Sequence, residues 1–223
     1  MSANLFPMTG SSPCSAFVRW LVRLFAFCLL SGLSACTGTA KLKREAAAIV
    51  AQARVPSGGA RVRDMQAVCW ELAQRRLSYT FGSCRPENGG LDCSGTVHYV
   101  LSRLGYQHVP RQSNHQFYWI QCQGDLHKSS DLTAGVLRRL KPGDLLFWRG
   151  TYATGKRWPN ISHVMIYMGR DPSSGRHWMF GGRSGSRSGQ NGSEIDFFEI
   201  GPGESEGRRS SFVGWGTVPG VKK

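Results

Sequence analysis

Hydrophobic residues recur at helical spacing in the first half of the chain and form short continuous runs in the second half. One apolar stripe covers residues 61–76, a second follows residue 93 and stops at Gly105, and a short helical segment covers 114–120. These patterns predict core-facing helices. The continuous apolar runs predict buried strands, at 145–148, 161–168, 177–180, 195–200 and 212–218. Helices followed by a series of strands indicate an α+β fold.

The first 35 residues have the composition of an export signal. They contain no acidic residue, and Arg19 and Arg23 precede an apolar core at 24–30. This pattern is typical of a secretory signal, and the apolar run is too short to span a membrane comfortably. Leu-Ser-Ala-Cys at 33–36 resembles the bacterial lipobox, which implies cleavage before Cys36 and lipidation of that residue. An ordinary signal peptide or an uncleaved anchor is the alternative.

The predicted organisation has three parts: a lipoprotein signal peptide at 1–35, a lipidated tether at 36–60, and one folded domain at 61–220. Acyl chains on Cys36 would hold the protein stably on a membrane. No aspartate follows Cys36, which in similar lipoproteins favours the outer membrane. The expected location is therefore the bacterial cell envelope, at the outer membrane and facing the periplasm.

The most informative chemical motif is Asp92-Cys93-Ser94-Gly95, between a glycine-rich loop and the start of an apolar-periodic helix. A thiol in the first turn of a helix faces unpaired N–H groups and the positive end of the helix dipole, which suits an anionic nucleophile. Asp92 is the expected N-cap of this helix. The alternative interpretation of Cys93 is a small buried core residue.

His163 is the second candidate for chemistry. It lies on the strand predicted at 161–168, both faces of which are mostly apolar, so the strand is expected to be central. An imidazole within reach of the Cys93 sulfur could form an ion pair with it and protonate a leaving amine. A third group normally orients such an imidazole through its other nitrogen. A satisfied core histidine is the alternative.

The formal net charge of +14 favours anionic partners. Export and the lack of a nucleic-acid motif argue against nucleic acid, whereas lipid headgroups and the carboxylate-bearing cell wall fit. No CxxC or histidine-rich spacing suggests a metal site, and no cofactor is expected. If Cys93 stays free, Cys69, Cys84 and Cys122 allow at most one disulfide, and the sequence does not choose a pair.

Five ordered motifs carry a family resemblance: Tyr79-Thr80-Phe81-Gly82, Asp92-Cys93-Ser94-Gly95, Val109-Pro110-Arg111, Lys141-Pro142-Gly143-Asp144-Leu145 and His163-Val164-Met165-Ile166-Tyr167-Met168-Gly169. Over about residues 62–218 the chain resembles the NlpC-type cysteine peptidases, which are papain-like cell-wall endopeptidases. The resemblance implies a circularly rearranged papain-like fold, with a nucleophile-bearing helix packed on an antiparallel sheet that bears the histidine. It also implies cleavage of peptidoglycan stem peptides, typically between D-glutamate and the diamino acid.

The same resemblance assigns roles to three residues. It implies that Cys93 is the nucleophile and His163 the general base and acid. It also implies that the hydroxyl of Tyr79 lies in the active site and helps to position the substrate or the oxyanion. The backbone N–H of Cys93 is expected to donate to the oxyanion.

The third catalytic position departs from the family pattern. The register of the resemblance places Gly181 where the family carries a polar residue on the strand after the base. His177, four residues earlier on the same strand face, is the candidate substitute. A surface histidine is the alternative, and Gln190, Asn191, a backbone carbonyl or a water molecule are weaker candidates for orienting His163.

Two loops are expected to shape a substrate groove. The loop at 149–160 holds Arg157 and Trp158, and the loop at 181–193 holds Arg183. Aromatic and cationic side chains suit a ligand with sugar faces and carboxylates. Solvated, flexible loops are the alternative.

The sequence therefore favours a lipid-anchored peptidoglycan endopeptidase that uses Cys93 and His163. A catalytically weak or silent wall-binding lipoprotein is one alternative, because the third polar residue is missing. An amidase or acyltransferase on the same scaffold is another. The sequence does not identify a regulatory partner.

Overall fold

The computed structural model describes residues 38–185, 188–207 and 209–222. The chain divides into two compact units, 1–42 and 43–223. Residues 38–42 of the first unit are helical, whereas the predicted signal peptide and Cys36 lie outside the described residues. None of the described helices is both long and apolar enough to span a membrane.

The second unit contains five helices in its described part. They are α1 (43–50), α2 (Val62–Gln74), α3 (Cys93–Arg103), α4 (Ser113–Gln123) and α5 (Ala134–Leu137). The strands are β1 (Ala60–Arg61), β2 (Ser78–Tyr79), β3 (Gly90–Leu91), β4 (Asp125–Lys128), β5 (Asp144–Arg149), β6 (His163–Arg170), β7 (His177–Gly182), β8 (Ile195–Ile200), β9 (Ser211–Thr217) and β10 (Val221–Lys222).

Six of these strands form one antiparallel sheet in the order β4-β9-β5-β6-β7-β8. Two short parallel pairs lie outside it, β1 with β10 and β2 with β3. In the second pair Tyr79 lies opposite Leu91, the residue that precedes the Asp92 motif. This pairing holds the Tyr79 strand beside the start of α3.

Two apolar clusters lie on opposite faces of the sheet. On the first face, α2, α3 and α4 contribute buried residues such as Leu72 and Val97, which pack with Val164 and Ile166 of β6. On the second face, α5 covers a cluster that includes Trp148, Met165, Tyr167, Met179 and Trp215. Because both faces are covered, the central strands read as continuous apolar runs rather than as alternating ones.

The predicted α+β fold is confirmed, with α3 packed against β6 and β7 of an antiparallel sheet. Strand β6 begins at His163 rather than at residue 161. Strand β4 was not predicted, because its sequence Asp-Leu-His-Lys has a single apolar residue and offers no hydrophobic pattern.

The segment predicted as a tether is in part a component of the fold. Val50 and Ala53 are buried in the cluster on the helical face. Arg54 forms a β-bridge with Gln107, with backbone hydrogen bonds of 2.9 and 3.1 Å. The tether prediction is therefore wrong for residues 43–60, since folding begins before residue 61. The signal peptide at 1–35 and the lipid on Cys36 stay predictions.

Candidate active site

Cys93 is the first residue of α3, and the turn that presents it is fixed by Asp92. The Asp92 carboxylate accepts hydrogen bonds from the backbone N–H of Gly95 at 2.6 Å and of Gly82 at 2.9 Å. Asp92 is thus the N-cap that the sequence predicted. A Cβ on Gly95 would lie 2.0 Å from the carbonyl oxygen of Ser83. Only glycine lets the loop before β3 pack this closely on the first turn.

The charge of Asp92 is neutralised by Arg111. The guanidinium donates two parallel hydrogen bonds to the carboxylate, of 3.0 and 2.7 Å, and a third of 3.0 Å to the Ser94 hydroxyl. A bidentate arginine–carboxylate pair fixes geometry as well as charge. The Val-Pro-Arg motif therefore supports, from outside the helix, the turn that carries Cys93.

His163 stands at the beginning of β6, where it is buried and close enough to Cys93 for that residue to influence its pKa. Burial alone lowers the pKa of His163, but the negative charges of the Cys93 thiolate and of Glu206 outweigh it. Arg183 opposes them, and the net pKa of His163 lies above its ordinary value. The surroundings therefore favour the protonated, imidazolium form of His163.

Tyr79 completes a cluster of three side chains that the sequence had placed together. Its hydroxyl is close enough to Cys93 for that residue to influence its pKa. Burial raises the pKa of Tyr79, and the negative charges of Cys93 and Asp92 raise it further. The phenol therefore stays protonated and is available as a hydrogen-bond donor in the cavity that holds Cys93.

The structure does not place His177 beside His163. His177 is the first residue of β7 and lies opposite Arg170, the last residue of β6, whereas His163 is the first residue of β6. The antiparallel register thus puts the two histidines at opposite ends of the strand pair. The Nδ1 atom of His177 lies 2.6 Å from the Tyr167 hydroxyl, with which it shares a hydrogen bond. The prediction that His177 orients His163 is wrong.

The position that the family resemblance indicated is also closed. A Cβ on Gly181 would lie 2.6 Å from the sulfur of Met165, so a polar side chain would displace this packing. Of the weaker candidates, Asn191 donates from its side chain to Asp196 at 2.8 Å. Its neighbour Gln190 lines a separate cavity with Phe197 and Phe198.

The group that does face His163 is Glu206, which no pattern in the sequence predicted. It lies on the loop between β8 and β9, and its Oε2 atom is 3.5 Å from Nε2 of His163. Its carboxylate is bound by Arg183, whose Nε atom donates to both oxygens at 3.1 and 2.8 Å. Arg183 also donates to Glu204 at 3.1 Å. A glycine- and serine-rich loop has no periodic pattern, so no local signal in the sequence marks Glu206.

The three residues predicted to bind substrate differ in their surroundings. Arg157 lines a cavity at the site and donates to the Tyr152 hydroxyl at 3.2 Å. Arg183 lines the same cavity as His163, but it is buried and bound by the carboxylates of Glu204 and Glu206. Trp158 packs on Tyr118, with 4.8 Å between the ring centroids, and the ammonium of Lys43 lies over its ring. It lines neither of the two cavities at the site. Arg157 and Arg183 therefore line the cavities at the site, whereas Trp158 does not, and binding of substrate by these residues stays a prediction.

Two adjacent cavities meet at the site. One of about 560 Å³ includes His163 and Glu206 in its wall, and one of about 360 Å³ includes Cys93. Both are lined by Tyr79, Phe81, Tyr152 and Ser162. Phe81 and Tyr152 are the exposed members of this shared wall, and their rings meet edge to face with centroids 5.5 Å apart. We call this pair the aromatic bridge; it forms part of the wall of both cavities.

Within the described ranges, no group of three His, Cys, Asp or Glu side chains is placed to hold a metal ion. The cysteines at 69, 84, 93 and 122 are all free thiols. Burial raises the pKa of Cys69 and leaves it an unreactive core thiol. Cys93 is the cysteine placed beside a histidine and a groove.

Comparison with known proteins identifies the class. The model of the NlpC/P60 family matches residues 76–189, just over half of the chain, and this range includes Tyr79, Cys93 and His163. The chain therefore belongs to the NlpC/P60 family.

Two relatives show the extent of the similarity. The gamma-DL-glutamyl hydrolase of Bacillus subtilis (strain 168) is 33% identical over 93 residues, which cover 42% of this chain and 18% of that protein. A crystal structure from Staphylococcus aureus subsp. aureus Mu50, of a protein described as similar to a lipoprotein of the NLP/P60 family, shares 18% identity. The superposition covers 74% of this chain and 45% of that chain, with a TM-score of 0.46. The chain thus spans less than half the length of each.

Proposed function

We propose that this NlpC/P60 protein is a cysteine peptidase that hydrolyses an amide bond in peptidoglycan stem peptides. The observation that supports the proposal most strongly is the convergence of three groups at the junction of the two cavities. They are the Cys93 thiol, the His163 imidazole and the Tyr79 hydroxyl. A nucleophile, a base and a donor at one point of a groove are the requirements for acyl transfer.

In the proposed reaction, His163 takes the proton of Cys93 and the sulfur attacks the substrate carbonyl carbon. The charge that develops on the carbonyl oxygen is met by the backbone N–H of Cys93, which has no acceptor within the helix because Cys93 begins α3. The Tyr79 hydroxyl is a second donor. The C–N bond then breaks, and the His163 imidazolium protonates the departing amine.

The second half of the reaction releases the acyl group. Water attacks the thioester carbon while His163 removes its proton, the C–S bond breaks, and the acid leaves. The proton on His163 returns to the sulfur. Each step uses the same sulfur–imidazole pair, so loss of either group should stop turnover.

Several features support a wall peptide as the substrate. The family consists typically of cell-wall peptidases, and the Bacillus relative is named for hydrolysis of glutamyl bonds. A stem peptide carries carboxylates, which suit a chain of net charge +14 and the Arg157 side chain in the wall of the cavity that includes Cys93. We propose the bond between D-glutamate and the diamino acid as the one cleaved.

Product analysis tests this function. Purified protein is incubated with isolated sacculi under reducing conditions, and the soluble products are identified by mass spectrometry. We expect peptides with a new amine on the diamino acid, no such products with Cys93→Ala, and wild-type products with Cys122→Ala as the matched control. Sacculi that stay intact, or hydrolysis that persists in Cys93→Ala, would contradict the proposal; cleavage at the sugar–peptide amide would indicate an amidase instead.

We also propose that a lipid on Cys36 attaches the protein to the outer membrane, as the lipobox-like sequence suggests. In cells fed a labelled fatty acid, the wild type should carry the label and sediment with outer membranes. Cys36→Ala should lose both properties. Label that persists in Cys36→Ala would refute this attachment site.

A further inference from the structure

We propose that Glu206, held in place by Arg183, is the positioning residue for His163 and replaces the polar group that the family carries on the strand after the base. The inference rests on the proposed function in one respect, that His163 is the base. It concerns a residue on a different element, the loop between β8 and β9, outside the range matched by the family model.

The surroundings of the His163 imidazole support this pairing. Within the described residues, Nε2 of His163 is buried and has no hydrogen-bond partner. A buried ring nitrogen without a partner is costly, so a nearby acceptor is required. Oε2 of Glu206 lies 3.5 Å away, and a shift of roughly half an ångström brings it to hydrogen-bonding distance. Catalytic hydrogen bonds of this kind are often long in the absence of substrate.

The carboxylate of Glu206 is itself fixed in position. Arg183 binds both oxygens of Glu206, and its guanidinium lies over the ring of Phe198 at 4.9 Å. The side chains of Arg183 and Glu206 are 8% and 6% exposed. Water therefore competes little with the ion pair, and Glu206 can present an oxygen to His163 in one orientation.

The two ring nitrogens of His163 can serve different partners. Because Nε2 faces Glu206, Nδ1 is the nitrogen available to the Cys93 sulfur. A group on one nitrogen fixes both the tautomer and the plane of the ring for the other. The arrangement Cys93–His163–Glu206 thus has the order of a nucleophile, a base and an orienting group.

The charged groups around His163 set the expected pH dependence. They are Cys93 on α3, Tyr79 on β2, Arg183 after β7 and Glu206. Glu206 raises the pKa of His163 and Arg183 lowers it. Replacing the carboxylate by an amide should therefore lower the pKa of His163, and the imidazolium should be lost at a lower pH than in the wild type.

The test compares Glu206→Gln and Glu206→Ala with a control, Glu204→Gln. The control removes a carboxylate that binds Arg183 but keeps the Glu206 carboxylate, which lies 3.5 Å from Nε2 of His163. NMR spectroscopy of 15N-histidine-labelled protein follows the six histidines through a pH titration, with His163 assigned by its loss in His163→Gln. We expect a lower pKa of His163 in Glu206→Gln and a value near that of the wild type in Glu204→Gln. This titration needs no substrate, so it tests the pairing even if the proposed function fails.

Kinetics on a stem peptide complete the test. Glu206→Ala should lower kcat by about ten- to a hundredfold, a part of what general acid–base catalysis contributes, with KM nearly unchanged. Glu206→Gln should recover most of kcat at its own optimum, because the amide oxygen still accepts a hydrogen bond. A lower melting temperature in all Glu206 variants, with an unchanged titration of His163 and unchanged kcat, would show that Glu206 only ties down its loop and would overturn the proposal.

Discussion

At the scale of single residues, the electrostatics of the site centre on one imidazole between two anions. His163 is buried between the sulfur of Cys93 and the carboxylate of Glu206, and together these raise its pKa above the ordinary value despite burial. Asp92, which would otherwise add an anion beside the thiol, is neutralised by Arg111. The residues around Cys93 and His163 thus favour the imidazolium form of His163.

The raised pKa of His163 predicts an alkaline limit to activity. A group whose folded-state pKa is raised contributes stability below its unfolded pKa, and that contribution is lost as pH rises through the folded value. The ion pair should therefore survive past the usual histidine range of about 6.5 and disappear at higher pH. We expect kcat/KM to fall on the alkaline side of the profile, and to fall at lower pH in Glu206→Gln. Activity that rises steadily up to pH 10 would contradict a protonated His163 in the active form.

At the scale of elements, the turn that carries Cys93 depends on a glycine contact between α3 and the loop before β3. Gly95→Ala would place a Cβ 2.0 Å from the Ser83 carbonyl. We expect it to lower the free energy of unfolding by about 1–3 kcal/mol, as overpacking does, even though alanine is the better helix former. Gly155→Ala is the matched control, since a Cβ there meets nothing within 4 Å. Urea denaturation of both variants decides, and equal stabilities would argue against the contact.

The aromatic bridge is the second feature at this scale. Phe81 and Tyr152 come from different loops and meet above the junction of the two cavities. A free stem peptide is narrower than a cross-linked peptide, so we expect it to fit beside the aromatic bridge more easily. Phe81→Ala should raise KM for a free stem peptide severalfold with a smaller change in kcat, and should improve cleavage of cross-linked peptides relative to free ones. Unchanged values for both substrates would show that the bridge does not limit access.

Elements with a hydrophobic period were predictable, and contacts set by strand register were not. The stripe of α2 and the apolar runs of β5 to β9 specified the layers, and Asp92-Cys93 marked the start of α3. His177 could not be placed from the sequence, because its distance from His163 depends on the pairing of β6 with β7. Glu206 could not be found from the sequence, because it lies on the loop between β8 and β9, and only the fold of these strands brings that loop to His163.

At the scale of the whole molecule, the folded unit includes residues that the sequence assigned to a linker. Val50 and Ala53 fill part of the core, and Ala60 pairs with Val221 near the C-terminus. A protein that starts at residue 61 should therefore have a lower melting temperature than one that starts at residue 43, because the apolar surface that these residues cover becomes exposed. Thermal unfolding monitored by circular dichroism measures the difference, and equal melting temperatures would restore the tether interpretation.

The central claim is that Cys93 is the nucleophile of an acyl transfer. The most direct measurement is mass spectrometry of the protein after rapid acid quenching with a stem peptide. We predict an acyl group, with the mass of the N-terminal part of the cleaved peptide, on the proteolytic fragment that contains Cys93. It should be absent from Cys93→Ala and present in Cys84→Ala. Two results would contradict the claim: cleavage of the peptide by Cys93→Ala, in which no adduct forms, or an acyl group on another residue of the wild type.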